Sequence, residues 1–150
     1  MIGRPLCVLA LAGSMALAGC GRHPRPAMSW VAPTASLEAR TIAAAITEWL
    51  SEVAPPATST LLPLPVSRRQ QGNAVTAALL DDLRAQGYGI ATSLEASPDA
   101  HVVRYVITPV WDRYMLLRVQ IDGVEGSRLF YRDMQGGLSV ASPLMERGTQ

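Results

Sequence analysis

The chain has 150 residues and a formal net charge of +1, with 13 basic side chains against 12 acidic ones. A nucleic-acid-binding protein normally carries a basic excess, so this balance argues against direct binding of nucleic acid. Only two cysteines are present, which excludes a disulfide-rich scaffold and a cysteine-rich metal site. The glycines form no phosphate-binding loop ahead of a helix, and we expect neither a cofactor nor a bound metal.

The beginning of the chain has the pattern of an export signal. One positive charge at Arg4 precedes the run from Leu6 to Leu17, which contains no charged side chain. A transmembrane helix needs roughly twenty apolar residues, so this run is too short to be a permanent anchor. The sequence therefore predicts a signal peptide over residues 1–19.

The apolar run ends in Leu17-Ala18-Gly19-Cys20, which resembles the lipobox of bacterial lipoproteins. The resemblance implies cleavage after Gly19 and attachment of fatty acyl groups, such as palmitate, to Cys20. Two or three acyl chains hold a protein firmly at a bilayer, because each buried CH₂ group contributes about 0.8 kcal/mol. Gly21, in place of an aspartate, implies sorting to the outer membrane, facing the periplasm. The alternative is an ordinary secretory signal, with Cys20 as an early mature residue.

Residues 20–35 are interpreted as the lipidated cysteine followed by a flexible, proline-containing tether. Arg22 and Arg25 give only weak attraction to anionic lipid, so a solvated linker is the favoured interpretation. Trp30 lies in this segment, and an indole is a side chain that rests readily at a membrane interface. Residues 36–150 are expected to form a single domain.

Two amphipathic helices are predicted in that domain. The first spans about 37–53 and begins after Ser36, and the second spans about 74–86 and ends before Gly87. Their apolar faces are formed by Ile42, Ile46, Trp49, Leu50 and Val53 in the first helix and by Val75, Leu79, Leu80 and Leu83 in the second. Trp49 is therefore expected in the core.

Strands are predicted elsewhere in the domain. Residues 58–66 contain two prolines and are interpreted as an edge strand at best. Strands are then expected over 88–93, 101–108, 113–121 and 127–133, with one more short strand before a polar tail. The alternation over 113–121 indicates an antiparallel strand with one buried face. The order predicts an α+β fold, with two helices packed on a mainly antiparallel sheet of about four to five strands.

No constellation of catalytic residues is apparent. After processing, the histidines are His23 in the tether and His101 at the start of a strand, and neither lies in a recognisable motif. Asp81 and Asp82 are adjacent on a helix, where they point about a hundred degrees apart, so a solvated face is favoured over a metal site. Trp111 lies at a turn, where an exposed indole indicates contact with a partner.

Several segments together resemble the TrbH family of conjugal transfer lipoproteins. They are Pro55-Pro56-Ala57-Thr58-Ser59-Thr60-Leu61, the stretch from Ala78 to Tyr88, Arg104-Tyr105-Val106 and the alternating strand from Tyr114 to Val119. The resemblance implies a component of the mating-pair formation apparatus, a type IV secretion system that moves plasmid DNA between cells. It brings no catalytic residues with it.

We therefore expect a structural or assembly lipoprotein of a conjugative secretion apparatus. Its partners are membrane lipid, through Cys20, and other envelope channel proteins, and an oligomer is compatible with this role. The first alternative is a periplasmic lipoprotein that binds or regulates cell-wall enzymes or glycan. A third and weaker alternative is a hydrolase that uses His101.

Overall fold

The computed structural model of the protein describes residues 28–148. The helices are α1 (Ala39–Val53) and α2 (Ala74–Ala85), and short 3-10 helices span Pro33–Glu38, Pro56–Thr58 and Arg68–Gln70. The strands are β1 (Trp30–Val31), β2 (Thr60–Pro63), β3 (Gly89–Ile90), β4 (His101–Pro109), β5 (Tyr114–Ile121), β6 (Val124–Arg132), β7 (Leu138–Val140) and β8 (Met145–Gly148).

Helix α1 begins later than the sequence indicates. A 3-10 helix over Pro33–Glu38 occupies the expected first turn, and α1 starts at Ala39 without a side-chain cap. Proline at the first position of a helix is well tolerated, because its missing N–H has no helical partner there. The apolar face of α1 is placed as predicted, and Trp49 is buried in the core.

Helix α2 agrees closely with its prediction. Asn73 caps its first turn, since the Asn73 side-chain oxygen accepts a hydrogen bond from the Thr76 amide at 2.9 Å. Val75, Leu79 and Leu83 are buried. The helix ends ahead of Gly87, which has a φ of +90° and so provides the left-handed conformation that terminates many helices.

One sheet contains all eight described strands. Its order is β3-β2-β4-β5-β6-β7, while β1 pairs with β4 and β8 pairs with β6. Strands β4 to β8 pair with one another in antiparallel orientation. The pairs β1–β4, β2–β4 and β2–β3 are parallel. The α+β class and the mainly antiparallel sheet are confirmed, but the expected four to five strands are too few. The sequence missed β1 and β8, because both are short and depend on partners distant in the chain.

Strand β2 lies inside the sheet, so its interpretation as an edge strand was wrong. It pairs in parallel with β3 on one side and with β4 on the other. Pro63 is tolerated because it is the last residue of β2, and the next amide, that of Leu64, donates to the Val103 carbonyl oxygen at 2.7 Å. Pro65 lies outside the strand.

Part of the segment expected to be a tether already belongs to the folded structure. The Ser29 amide donates to the Pro65 carbonyl oxygen at 3.0 Å, and β1 pairs with β4. The side chains of Val31 and Ala35 are buried. The chain is therefore fixed to the sheet from residue 29 onward.

The core lies between the two helices and one face of the sheet. The Tyr105 hydroxyl is 2.7 Å from the Thr76 hydroxyl and joins β4 to α2. Trp49 of α1 lies over Gly126 of β6, where an added Cβ would stand 2.7 Å from the Trp49 ring. The Trp49 indole N–H also donates to Glu146 of β8 at 2.8 Å. Trp49 thus connects a helix, a central strand and the last strand.

We expect Gly126→Ala to lower the free energy of unfolding by about 1–3 kcal/mol, because the new methyl group overpacks the fully buried Trp49 ring. Gly148→Ala is the matched control, since a Cβ there meets nothing within 4 Å, and it should change stability by less than about 0.5 kcal/mol. Denaturant titration of the two variants measures the difference. Equal stabilities would contradict the described packing of Trp49 on β6.

Candidate functional site

The face of the sheet that is turned away from the helices carries the candidate site. Side chains of a strand alternate between the two faces, and Tyr105 assigns its face of β4 to the helices. In β5 the residues on the helix face are buried, whereas Tyr114, Leu116 and Gln120 are half-buried and Arg118 is exposed. Both described α-helices lie on the buried side. We call the other side the open face.

Strand register orders the open face into rows. Tyr114 lies opposite Tyr131, and Leu116 lies opposite both Thr108 and Leu129. The next two rows are Trp30, Val106, Arg118, Ser127 and Met145, and then Arg104, Gln120, Glu125 and Arg147. We call Trp111, Tyr114 and Tyr131 the aromatic end, and Trp30, Arg104, Arg118 and Arg147 the basic end.

The aromatic end is built from one loop and two paired strands. The Trp111 and Tyr114 rings meet edge to face, with centroids 5.8 Å apart, and the Tyr114 and Tyr131 rings are tilted at 5.3 Å. Arg113 donates to the Tyr131 hydroxyl at 3.2 Å. This bond raises the pKa of Arg113. An arginine side chain is charged in proteins whether or not its pKa is shifted, so a cation lies beside the rings. The result is an aromatic surface with a fixed cation at its margin.

The backbone conformation and the exposure of Trp111 do not stabilise the isolated fold. Its φ is +72°, and 76% of its surface is exposed. A left-handed conformation costs a residue with a Cβ roughly 1–2 kcal/mol, and exposure of an indole forgoes its burial energy. Such a combination in a bulky residue suggests a role outside the isolated fold. The exposure also agrees with the partner contact that the sequence indicated.

A cavity of about 120 Å³ adjoins the aromatic end. Trp111, Tyr114, Met115 and Arg132 contribute to its lining. Small-molecule sites are typically cavities of about 300–1,000 Å³, whereas this cavity has room for about one side chain of a partner. The arrangement suits contact with a protein better than small-molecule chemistry.

The basic end has the opposite charge to the helices. Among the strand residues that the structure describes on the open face, Arg104, Arg118 and Arg147 are accompanied by one acid, Glu125. On the helices, four acidic residues accompany two basic ones: Glu48, Glu52, Asp81 and Asp82 against Arg40 and Arg84. The charge of the nearly neutral chain is therefore unevenly distributed, with a basic sheet face and a helix layer that is weakly acidic, since Arg128 of β6 pairs with Glu48 on that side.

The residues considered for catalysis do not form a reaction centre. The His101 ring pairs through Nδ1 with Asp122, and this contact connects the start of β4 to the β5–β6 turn. Within residues 28–148 no hydrogen bond joins His101 to a serine or threonine hydroxyl. Asp81 is exposed and lies 3.7 Å from Arg84. Across the same residues, no cluster of three or more His, Cys, Asp or Glu side chains is placed to hold a metal ion.

Cys20, the predicted lipidation site, lies outside the described residues, as does His23. In the described part of the chain, neither helix combines the length and the apolar character needed to cross a bilayer. Sequence reasoning singled out Trp30 and Trp111 but missed Tyr131 and the arginines of the basic end. The available signal was the set of large side chains on the supposedly polar face of β5, beginning with Tyr114 and Leu116.

The comparisons identify a family. Residues 25–148 match the family described as conjugal transfer protein TrbH. No curated protein and no solved structure matches the chain significantly. The match includes both helices, all eight described strands and both ends of the open face. The chain therefore belongs to the TrbH family of conjugal transfer proteins.

Proposed function

We propose that this protein is a lipid-anchored envelope component of a conjugative type IV secretion apparatus, with a structural or assembly role in plasmid transfer. The observation that carries the proposal is the TrbH match over residues 25–148, which implies involvement in conjugal transfer. The family is a transfer component and not a known enzyme family. The protein acts through contacts, and we assign no catalytic residue to it.

The proposed anchor is Cys20, and it tethers the sheet closely. A chain spans at most about 3.6 Å per residue, so Met28 lies within roughly 29 Å of Cys20 along the chain. The Met28 carbonyl oxygen accepts a hydrogen bond from Arg104 at 3.2 Å, which fixes the point where the tether meets the sheet. The acyl chains would hold the domain at the membrane, with the outer membrane as the proposed destination.

The aromatic end is the proposed contact with other apparatus proteins. It lies beyond the far end of β4 from the tether, so it projects away from the anchored side. Interface residues that dominate binding are enriched in Trp, Tyr and Arg, and Trp111, Tyr131 and Arg113 meet that description here. The adjoining cavity gives a partner side chain a place to insert.

Cys20→Ser should release the protein from the membrane fraction and lower plasmid transfer, because the thiol that carries the lipid is absent. Cell fractionation and mating assays measure these two consequences, and mass spectrometry of the mature N-terminus measures whether lipid is attached. Cys7→Ser is the matched control, since Cys7 lies in the proposed signal peptide and is removed with it. An unmodified N-terminus in the parent protein would refute the anchor.

Trp111→Gly should weaken partner binding by about thirtyfold, the equivalent of the roughly 2 kcal/mol lost at an interface hot spot. Stability should stay within about 1 kcal/mol of the parent, because relief of the left-handed strain offsets the lost ring contact with Tyr114. Plasmid transfer, capture of channel proteins by the tagged chain and thermal unfolding are the measurements.

Leu94→Ala is the control for Trp111→Gly, since Leu94 is also exposed, at 47%, but lies in the loop before β4, at the opposite end of the strands. It should leave transfer and capture unchanged. If Trp111→Gly transfers plasmid as the parent does, the aromatic end is not the contact. Loss of peptidoglycan binding in Trp111→Gly, with transfer intact, would favour the cell-wall alternative.

A further inference from the structure

We propose that the basic end of the open face rests on anionic phospholipid head groups, so that this end of the sheet is turned towards the membrane, while the aromatic end is tilted away from it and the helix layer faces away. The proposal rests on the lipid anchor at Cys20. It adds an orientation and a second, non-covalent membrane contact to that anchor. The occupant of the basic end is thus a lipid surface and not another protein.

The first argument is position. β1 carries Trp30 to the open face beside Val106, and Arg104 binds the backbone of Met28, where the tether arrives. The anchor therefore keeps the basic end within a few tens of ångströms of a bilayer, whatever path the tether follows. Tethering raises the effective concentration of lipid at this face to the millimolar range, so a weak attraction is enough to orient the domain.

The second argument is charge. Each arginine near an anionic surface favours the bound state by about fivefold, and guanidinium groups bind phosphate through paired hydrogen bonds. Arg118 and Arg147 are exposed on the open face, with Glu125 as the acid in their rows. Asp122 at the adjoining turn is paired with His101. On the helices Glu48 is paired with Arg128 and Asp81 with Arg84, so the same membrane repels the helix layer mainly through Glu52 and Asp82, which favours the open face as the bound side.

The third argument is the apolar side chains among these arginines. Met28, Trp30 and Met145 are 41%, 38% and 57% exposed, and Trp30 and Met145 lie in the same cross-strand row as Arg118. Tryptophan is enriched at membrane interfaces, where its indole meets the head groups. A surface that alternates arginine with tryptophan and methionine fits the boundary between head groups and acyl chains.

The test uses the native full-length protein, purified from membranes in detergent and reconstituted into vesicles of neutral phosphatidylcholine with or without phosphatidylglycerol. Brominated acyl chains in these lipids quench the fluorescence of any tryptophan that touches the bilayer. We expect greater quenching in the anionic vesicles, and a decrease of that quenching at high salt, which screens the charges. Trp30→Phe should remove most of the anionic-dependent quenching, whereas the matched variant Trp111→Phe should retain it.

Charge variants test the arginines directly. Arg118→Gln combined with Arg147→Gln should lower the equilibrium constant for contact of the basic end with the bilayer by about 25-fold, or fivefold for each charge. Arg40→Gln combined with Arg84→Gln is the control, because it removes the same charge from the helix layer and should not reduce quenching. Circular dichroism of both double variants verifies that they fold.

Two outcomes would overturn the proposal. One is equal quenching of Trp30 in neutral and anionic vesicles, with no effect of the open-face double variant. The other is protection of Trp30 fluorescence from quenching by acrylamide, in the absence of lipid, that increases with protein concentration. That result would mean that a second copy of the chain covers the basic end. Flotation with neutral vesicles reports the acyl anchor separately, since only acylated protein floats there. Failure of the anchor is thus distinguished from failure of the orientation.

Discussion

The contact of Trp49 with Gly126 is the constraint on which the arrangement of the protein depends. It sets α1 against the centre of the sheet, and the bond from the indole to Glu146 extends the same contact to β8. A side chain on Gly126 would separate helix and strand, so glycine at this position permits the close approach. With α1 and α2 both on this side, the other side of the sheet is uncovered by any described helix. The candidate surface is therefore a consequence of how the core is packed.

Much of the fold follows from local pattern. The apolar spacing of α2, with Asn73 before it and Gly87 after it, determines both of its ends, and the strict alternation of β5 reports one buried face. Local pattern fails where strands are short and their partners distant. β1 has two residues and β8 has the sequence MERG, and neither shows alternation of its own. Both are positioned by hydrogen bonds from strands more than fifteen residues away in the chain.

Only part of the candidate surface could be predicted from the sequence, because its residues come together only when strands distant in the chain pair. An exposed Trp111 can be inferred from its place in a turn, but the contact of its neighbour Tyr114 with Tyr131, which completes the aromatic end, requires the register of β5 on β6. The three arginines of the basic end come from β4, β5 and β8, so they share a surface only after the sheet is assembled. The prolines near β2 led to the wrong prediction that this segment is an edge strand. A proline forbids a ladder bond only at its own amide, and the neighbouring Leu64 amide supplies the bond.

The parallel alignment of β1 on β4 has a mechanical consequence. An anchored protein whose far end is held by a moving partner experiences tension between the two attachment points. In the described residues Met28 is bound beside Arg104, and the Trp111 loop follows the C-terminal end of β4, so a load between the proposed anchor and this loop would run along the strands. The hydrogen bonds that hold residues 28–32 to β4 and to Pro65 are then loaded in shear at the same time, and they do not break one after another. Under the anchoring and the partner contact proposed above, such loading would suit a short strand to transmit force between the two attachment points.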